Sequence, residues 1–275
     1  MSYMCPQKIT LGKTIAFHSY KGGTGKTTLI TNLAAYYAMK GLNVCLLDFD
    51  LYAPSLCTYF QKTPSHYLND LLKGEADISE VLVDIGSEVG TKGKFLVGFS
   101  SPRKEDIYEI EIKHELKWQF AAMRRLLSAK KQLIEEQSLD YLLLDTSPGI
   151  RYWSINALAA ADSLFLIMKI SDMDIEGTKS MIKDIYDSLT RFGSKYYVIL
   201  NKVPGASPLP EKQWGPEESE WISGLEKELG TRVVGSVPCF CDVQFNRHEF
   251  LSSVKMPDHP FSKKLVELAE AIGKL

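Results

Sequence analysis

Apolar residues along this chain gather into seven short continuous runs, Thr14–Phe17, Val44–Leu47, Phe95–Val97, Tyr141–Leu144, Leu164–Met168, Tyr197–Leu200 and Val233–Val237. Runs of this kind, not alternating with polar residues, mark strands buried on both faces. Between them lie stretches of helical periodicity: Leu29–Met39, Leu116–Ile134, Ile175–Leu189, Ile222–Leu229 and Phe261–Ile272. Strands that alternate with helices predict an α/β protein with a mostly parallel, doubly wound sheet, covered on both sides. No repeat or low-complexity linker divides the pattern, so residues 1–275 read as one domain. Two polar, proline-bearing stretches interrupt it, Ser100–Asp106 and Val203–Pro216, and both are expected to be surface loops or lids.

Within His114–Gln137, Leu116, Phe120, Met123, Leu127 and Ile134 fall on one stripe, with Lys117, Arg124, Arg125, Lys130 and Lys131 largely off it. The expectation is a helix packed on the core through that stripe, with a solvated basic face. A nucleic-acid surface is not predicted, because Glu115, Glu135 and Glu136 dilute the charge.

Net charge sets a further limit. The chain carries 32 basic and 34 acidic residues, which gives no bulk attraction for nucleic acid or an anionic membrane. Five cysteines, Cys5, Cys45, Cys57, Cys239 and Cys241, form an odd set without disulfide-framework spacing. That usage fits a reducing cytoplasm. The N-terminus has no basic region ahead of a long apolar segment, and no apolar run approaches about 18 residues. Neither export nor membrane spanning is therefore expected.

The chemistry concentrates where the first strand meets the first helix. Residues 21–28 read Lys-Gly-Gly-Thr-Gly-Lys-Thr-Thr, a glycine loop between a strand and a helix. Gly22, Gly23 and Gly25 let backbone N–H groups turn inward around Thr24, and the helix start adds partial positive charge. Lys26 is placed to reach the β- and γ-phosphates, while the Thr27 hydroxyl, followed by Thr28, ligates magnesium. The loop implies a nucleoside triphosphate with Mg2+.

The generic pattern wants glycine five positions before Gly25, where this chain has Tyr20, and it carries an extra lysine, Lys21, before the paired glycines. This segment resembles the deviant Walker A loop of the MinD/ParA/Mrp family of P-loop ATPases, and of MinD-like members most closely. The resemblance runs from residue 14 to about 272, and it implies a three-layer P-loop NTPase fold and an ATP-state homodimer. In such a dimer Lys21 crosses to the other subunit's phosphates and acts with Lys26 and Asp50 in catalysis.

The second strand ends in Asp48-Phe49-Asp50, which resembles the family's switch I. That likeness gives Asp50 the attacking water and the magnesium shell, and leaves Asp48 to fix either the loop or a water behind that shell. The fourth strand ends in Asp145-Thr146-Ser147-Pro148-Gly149, similar to a Walker B strand with switch II. Asp145 is then expected to hold magnesium through water, and the Gly149 N–H to sense the γ-phosphate. Beyond it, Arg151-Tyr152-Trp153 either packs on the switch or carries nucleotide state to a partner.

Base choice can be argued from Asn201-Lys202-Val203-Pro204. Guanine selection needs a carboxylate at the last position to accept from two ring donors, and proline stands there. Adenine is favoured, with Asn201 hydrogen-bonded to the purine, and the family likeness places the backbone around Pro238 against the same ring. The combined expectation is an ATP-dependent dimerisation switch that hydrolyses ATP slowly and regulates an unidentified protein partner. The alternative is a metal or iron–sulfur carrier, as in the Mrp-type proteins, using Cys239 and Cys241.

Overall fold

The structure, a computed structural model, describes residues 12–112, 115–191, 193–204, 216–245 and 251–275. Eight strands form one sheet: β1 Lys13–His18, β2 Val44–Phe49, β3 Leu82–Asp84, β4 Phe95–Gly98, β5 Tyr141–Thr146, β6 Ser163–Met168, β7 Lys195–Val203 and β8 Val233–Pro238. Their order is β3-β4-β2-β5-β1-β6-β7-β8, parallel throughout except for β3, which pairs antiparallel with β4 at one edge. The seven continuous apolar runs all became strands. The eighth was not anticipated, because three residues, Leu-Val-Asp, carry too little pattern to separate from a loop.

Among the helices of the described residues, those that cover the sheet and frame its ligand-facing edge include α1 Lys26–Met39, α2 Leu68–Lys73, α3 Leu116–Glu135, α4 Tyr152–Ala159, α5 Asp172–Met181, α6 Pro216–Leu229 and α7 Pro260–Gly273. Side chains along each central strand divide between two cores, as the two-residue period of a strand requires. Ile15, Phe17, Val44, Leu46, Leu143, Phe165 and Ile199 pack on the side of α1 and α7. Ala16, Cys45, Leu47, Leu142, Leu144, Leu164 and Leu200 pack on the side of α3, α4 and α6. Helix, sheet and helix therefore form three layers, and both sheet faces are dry.

Helix α1 sits deepest. Leu29, Ile30, Leu33, Ala34, Ala35 and Ala38 are fully buried, so the helix following the glycine loop is fixed by packing. Each large aliphatic among them contributes about 1.5–3 kcal/mol by leaving water.

Three expectations need correction. Ser100–Asp106 is a surface segment only in part: Pro102, Arg103, Lys104 and Glu105 are exposed, but Ser100 and Ser101 are fully buried. The Ser100 hydroxyl donates to the Asp48 carbonyl at 2.5 Å, the Ser101 N–H donates to Asn69 at 2.9 Å, and a helix begins at Lys104. Polar composition suggested solvent, but these hydroxyls are satisfied inside. The helix expected over Ile175–Leu189 starts at Asp172 and widens into a π turn at Ile182–Tyr186. On α3 the buried stripe is Gln119, Ala122, Leu126, Ala129 and Leu133, while Leu116, Phe120 and Leu127 of the expected stripe are exposed. Close packing against α2 selected the smaller seam. The expected loop at Val203–Pro216 lies mostly outside the described residues, and Pro216 opens α6, where its missing N–H costs nothing. Among the described residues, no helix is long and apolar enough to cross a membrane.

Candidate nucleotide site

β1 lies at the middle of the sheet, so the loop that leaves it, Ser19–Gly25, opens at the carboxyl ends of the strands, where ligands bind in this class of fold. Gly25 is the N-cap of α1 with φ 87° and ψ 23°, a left-handed conformation. A Cβ there would stand 2.4 Å from Asn201 Nδ2. Two side chains at the end of β7 tether the loop by its carbonyls: Asn201 Nδ2 donates to Thr24 O at 2.7 Å, and Lys202 Nζ donates to Gly23 O at 3.0 Å. Lys202 holds a positive φ of 57° beside an irregularity in the β7–β8 register, which swings its side chain back over the loop. Gly25→Ala is accordingly expected to cost about 1–2 kcal/mol from the left-handed backbone alone. It should also displace Asn201 and weaken nucleotide binding at least tenfold, as thermal unfolding and nucleotide titration will show.

A cavity of about 420 Å3 opens beside the loop, lined by Gly22, Gly23, Gly25, Lys26, Thr27 and Thr28, with Asp50 and Pro148. Its far wall is Asn201, Pro238, Phe240 and Phe261. One end is thus polar and cationic, and the other offers flat apolar surface beside an amide.

Beneath the floor, Thr27 Oγ1 donates to Asp145 Oδ2 at 2.6 Å. Asp145 is fully buried, and its other oxygen, Oδ1, has no partner. Burial raises its pKa to about 6, against the opposing pull of the Lys26 ammonium and the Thr27 hydroxyl. An unpaired buried carboxylate oxygen beside a hydroxyl fits a hard divalent cation, which takes oxygen ligands and completes its shell with water and phosphate.

Asp50 joins the two acidic strand ends. Ser147 Oγ donates to Asp50 Oδ1 at 2.6 Å, and the Ala53 N–H donates to the same oxygen at 3.1 Å. Asp48 points inward and accepts from the Asp50 and Leu56 N–H groups at 3.1 and 3.2 Å, the loop-fixing role expected of it. Burial first, then the Asp145 and Asp50 charges, push its pKa well above the usual carboxylate range.

Several expected residues stand elsewhere. Lys21 is not part of the cavity lining; its ammonium lies 5.9 Å from the Tyr20 ring. The Gly149 N–H donates to Ser19 O at 2.8 Å, so it reaches a phosphate only if that bond opens. The Thr24 side chain is buried outside the cavity, and the amide nitrogen of Asn201 serves the loop, which leaves its carbonyl side for a base. Cys239 bonds Gln244 at 3.1 Å and Cys241 is exposed. Arg151 stacks over the Tyr52 ring at 5.0 Å, and Trp153 is buried edge-on to Trp118 of α3 at 5.5 Å. The Arg-Tyr-Trp segment therefore packs on the loop that follows Asp50 and on α3.

Three contributors carry little signal in the sequence. Ser147 ties Asp50 to the β5 loop, and Lys202 tethers the glycine loop. His18, at the end of β1, is fully buried with Nδ1 2.7 Å from Thr146 Oγ1. Because that hydroxyl donates to Phe17 O at 2.8 Å, it accepts from His18, which fixes the tautomer. Burial and then Lys26 depress the imidazole to about 3, so it adds no charge beside the loop. The signal for Ser147 is its place between Asp145 and Pro148; nothing in the pattern separates His18 from a core residue.

Comparison with known proteins agrees with this geometry. Residues 12–195 match the AAA_31 family model, described as an AAA domain. The chain is 28% identical over 176 residues to the chromosome-partitioning ATPase Soj of Treponema pallidum, and the match covers 64% of each chain. Its fold is similar to that of the cell division ATPase MinD of Pyrococcus furiosus, at TM-score 0.73 and 21% identity, over 96% of this chain and 99% of the other. MinD of Pyrococcus horikoshii, solved with Mg-ADP, superposes with TM-score 0.71 at 20% identity, over 96% of each chain. A family model that spans two thirds of the sequence, with the glycine loop, acidic strand ends and sheet order found here, leaves one assignment: the chain belongs to the MinD/ParA family of P-loop ATPases.

Proposed function

We propose that this protein is an ATP-dependent dimerisation switch, which binds Mg-ATP, hydrolyses it slowly to ADP and phosphate, and so regulates a protein partner in a positioning or partitioning process. One observation carries the reading: a single cavity is lined by a lysine-bearing glycine loop, by Thr27 and by Asp50, and the Thr27 hydroxyl donates to a buried Asp145 beneath it that keeps a spare carboxylate oxygen. The partitioning ATPase and the Mg-ADP-bound MinD among its relatives support the substrate and the class of process.

The work assigned to the residues is positioning and charge. Backbone N–H groups of residues 22–28 and the start of α1 receive the phosphates, and Lys26 neutralises the β- and γ-oxygens. Thr27, Asp145 and Asp50 are the groups that would hold magnesium, which screens the charge that develops on the leaving phosphate. Asp50, braced by Ser147, orients the attacking water. Adenine packs between Pro238 and the Phe240 side, with Asn201 as its polar contact. Lys21 lies outside its own cavity, as a group that serves a second subunit should.

Purified protein should retain ATP with magnesium in preference to GTP, and should sediment as a dimer with ATP and a monomer with ADP. Failure to hold adenine nucleotide, or a single sedimentation coefficient in both states, overturns the reading.

A further inference from the structure

Helix α3 carries two apolar seams of heptad spacing, and the fold uses only one. Gln119, Ala122, Leu126, Ala129 and Leu133 face the core. The second seam, Leu116, Phe120, Met123 and Leu127, repeats every three and four residues along about 17 Å of helix. Met123 leans on the core, but Leu116, Phe120 and Leu127 are 69%, 66% and 44% exposed. Exposed large side chains scattered singly need no explanation, whereas three in register on one helix face form a docking stripe.

Charge identifies the occupant. In a chain of net charge −2, α3 carries five basic residues and one acidic. Arg125 is spent on Leu72 O and Lys130 on Asp162 and Ala160 O. The other three, Lys117, Arg124 and Lys131, are exposed and stand seven residues apart, in the position that flanks the open seam on its solvent side. Lys131 has only a loose 4.0 Å pairing with Glu135. The opposite flank is the buried seam. A second copy laid antiparallel on this face would set the basic row against itself, and a parallel copy would set it against residues already inside the core. Self-pairing is therefore disfavoured, and an acidic flank is required.

We propose that the outer face of α3 is a docking site for an amphipathic helix of a partner protein, with apolar residues at heptad spacing and glutamate or aspartate beside them. Phe120 is the central anchor, and Lys117 and Arg124 set the polarity of the partner. The Trp118–Trp153 contact links this helix to the segment just after the β5 loop, so the docking face and the nucleotide site share one packed unit.

Two fluorescein-labelled 18-residue helical peptides with the same leucine stripe, one flanked by glutamate and one by lysine, test this by anisotropy against the full chain. The glutamate peptide should bind at least tenfold tighter, and more weakly at high salt. Phe120→Ser should lose at least tenfold of that affinity. The double reversal Lys117→Glu with Arg124→Glu should exchange the preference, so that the lysine peptide binds; an unfolded variant cannot imitate such a gain. Equal binding of both peptides, binding of neither, or unchanged affinity in Phe120→Ser overturns the proposal. So does a labelled DNA duplex that displaces the glutamate peptide, or a nucleotide-free dimer that Phe120→Ser dissociates.

Discussion

Replacing Lys21 by alanine is expected to lower ATP turnover by about 10³-fold or more while nucleotide affinity stays within a few-fold. A cation delivered to a transferring phosphoryl group contributes on the order of 10³–10⁵ in rate; the lower figure corresponds to about 4 kcal/mol of barrier. In the single chain the Lys21 ammonium lies over Tyr20, outside the cavity. The Tyr20 ring is itself seated on Gly177, where any Cβ would come within 2.1 Å of it. Ser19 Oγ holds the Lys21 carbonyl at 2.6 Å. The backbone is thus fixed while the ammonium points away from its own phosphate site, so its loss should spare binding and remove a contribution made only across a dimer. Specific activity of the unsubstituted protein should rise steeply with protein concentration. Concentration-independent turnover, or a Lys21→Ala variant of ordinary rate, eliminates the crossing lysine.

How much of this was legible in the sequence depends on the distance over which each signal acts. Strands buried on both faces announce themselves as continuous apolar runs, so seven of them, and the layer order they imply, followed from the pattern. Residues whose role is local to a turn were equally visible: Gly25 at its positive φ, Lys26 and Thr27 at the helix start, Asp145 at a strand end. What failed was whatever depended on partners far along the chain. Ser100 and Ser101 look like loop residues until Asp48 and Asn69 are seen to satisfy them. At Asn201 the sequence points to a base and gives no sign that the amide nitrogen is also committed to Thr24, 177 positions away. On α3, both seams have heptad periodicity, and hydrophobicity favoured the larger one. The fold instead chose the seam with Ala122 and Ala129, which permits close approach of α2, and left Phe120 outside. Periodicity reports that a face is apolar; it does not report what covers it.

Asp145→Asn should make the protein more stable and far less active. The carboxyl is raised from 3.8 to about 6 mainly by burial, so at neutral pH the metal-free protein holds an ionised group that its surroundings disfavour. At about 1.4 kcal/mol per pH unit that burden is on the order of 3 kcal/mol. The native state binds more protons than the unfolded chain between these two values, so metal-free stability falls as pH rises from about 4 to 6 and stays low above it. Asp48, shifted in the same direction by its own burial, adds a slope of the same sign, which the variant retains. An amide preserves the shape and can still accept from Thr27, but it carries no charge. It also forfeits the attraction of Lys26, so the expected gain at pH 7 is about 1–3 kcal/mol. The same change removes an anionic oxygen from the group that would hold magnesium, and turnover should fall about 10²-fold or more. Denaturant titrations at pH 5 and pH 8, with magnesium-dependent turnover measured alongside, check both halves. A variant less stable than its parent at pH 8, or one of undiminished rate, would show that the spare oxygen of Asp145 is ordinary core structure and not half of a cation site.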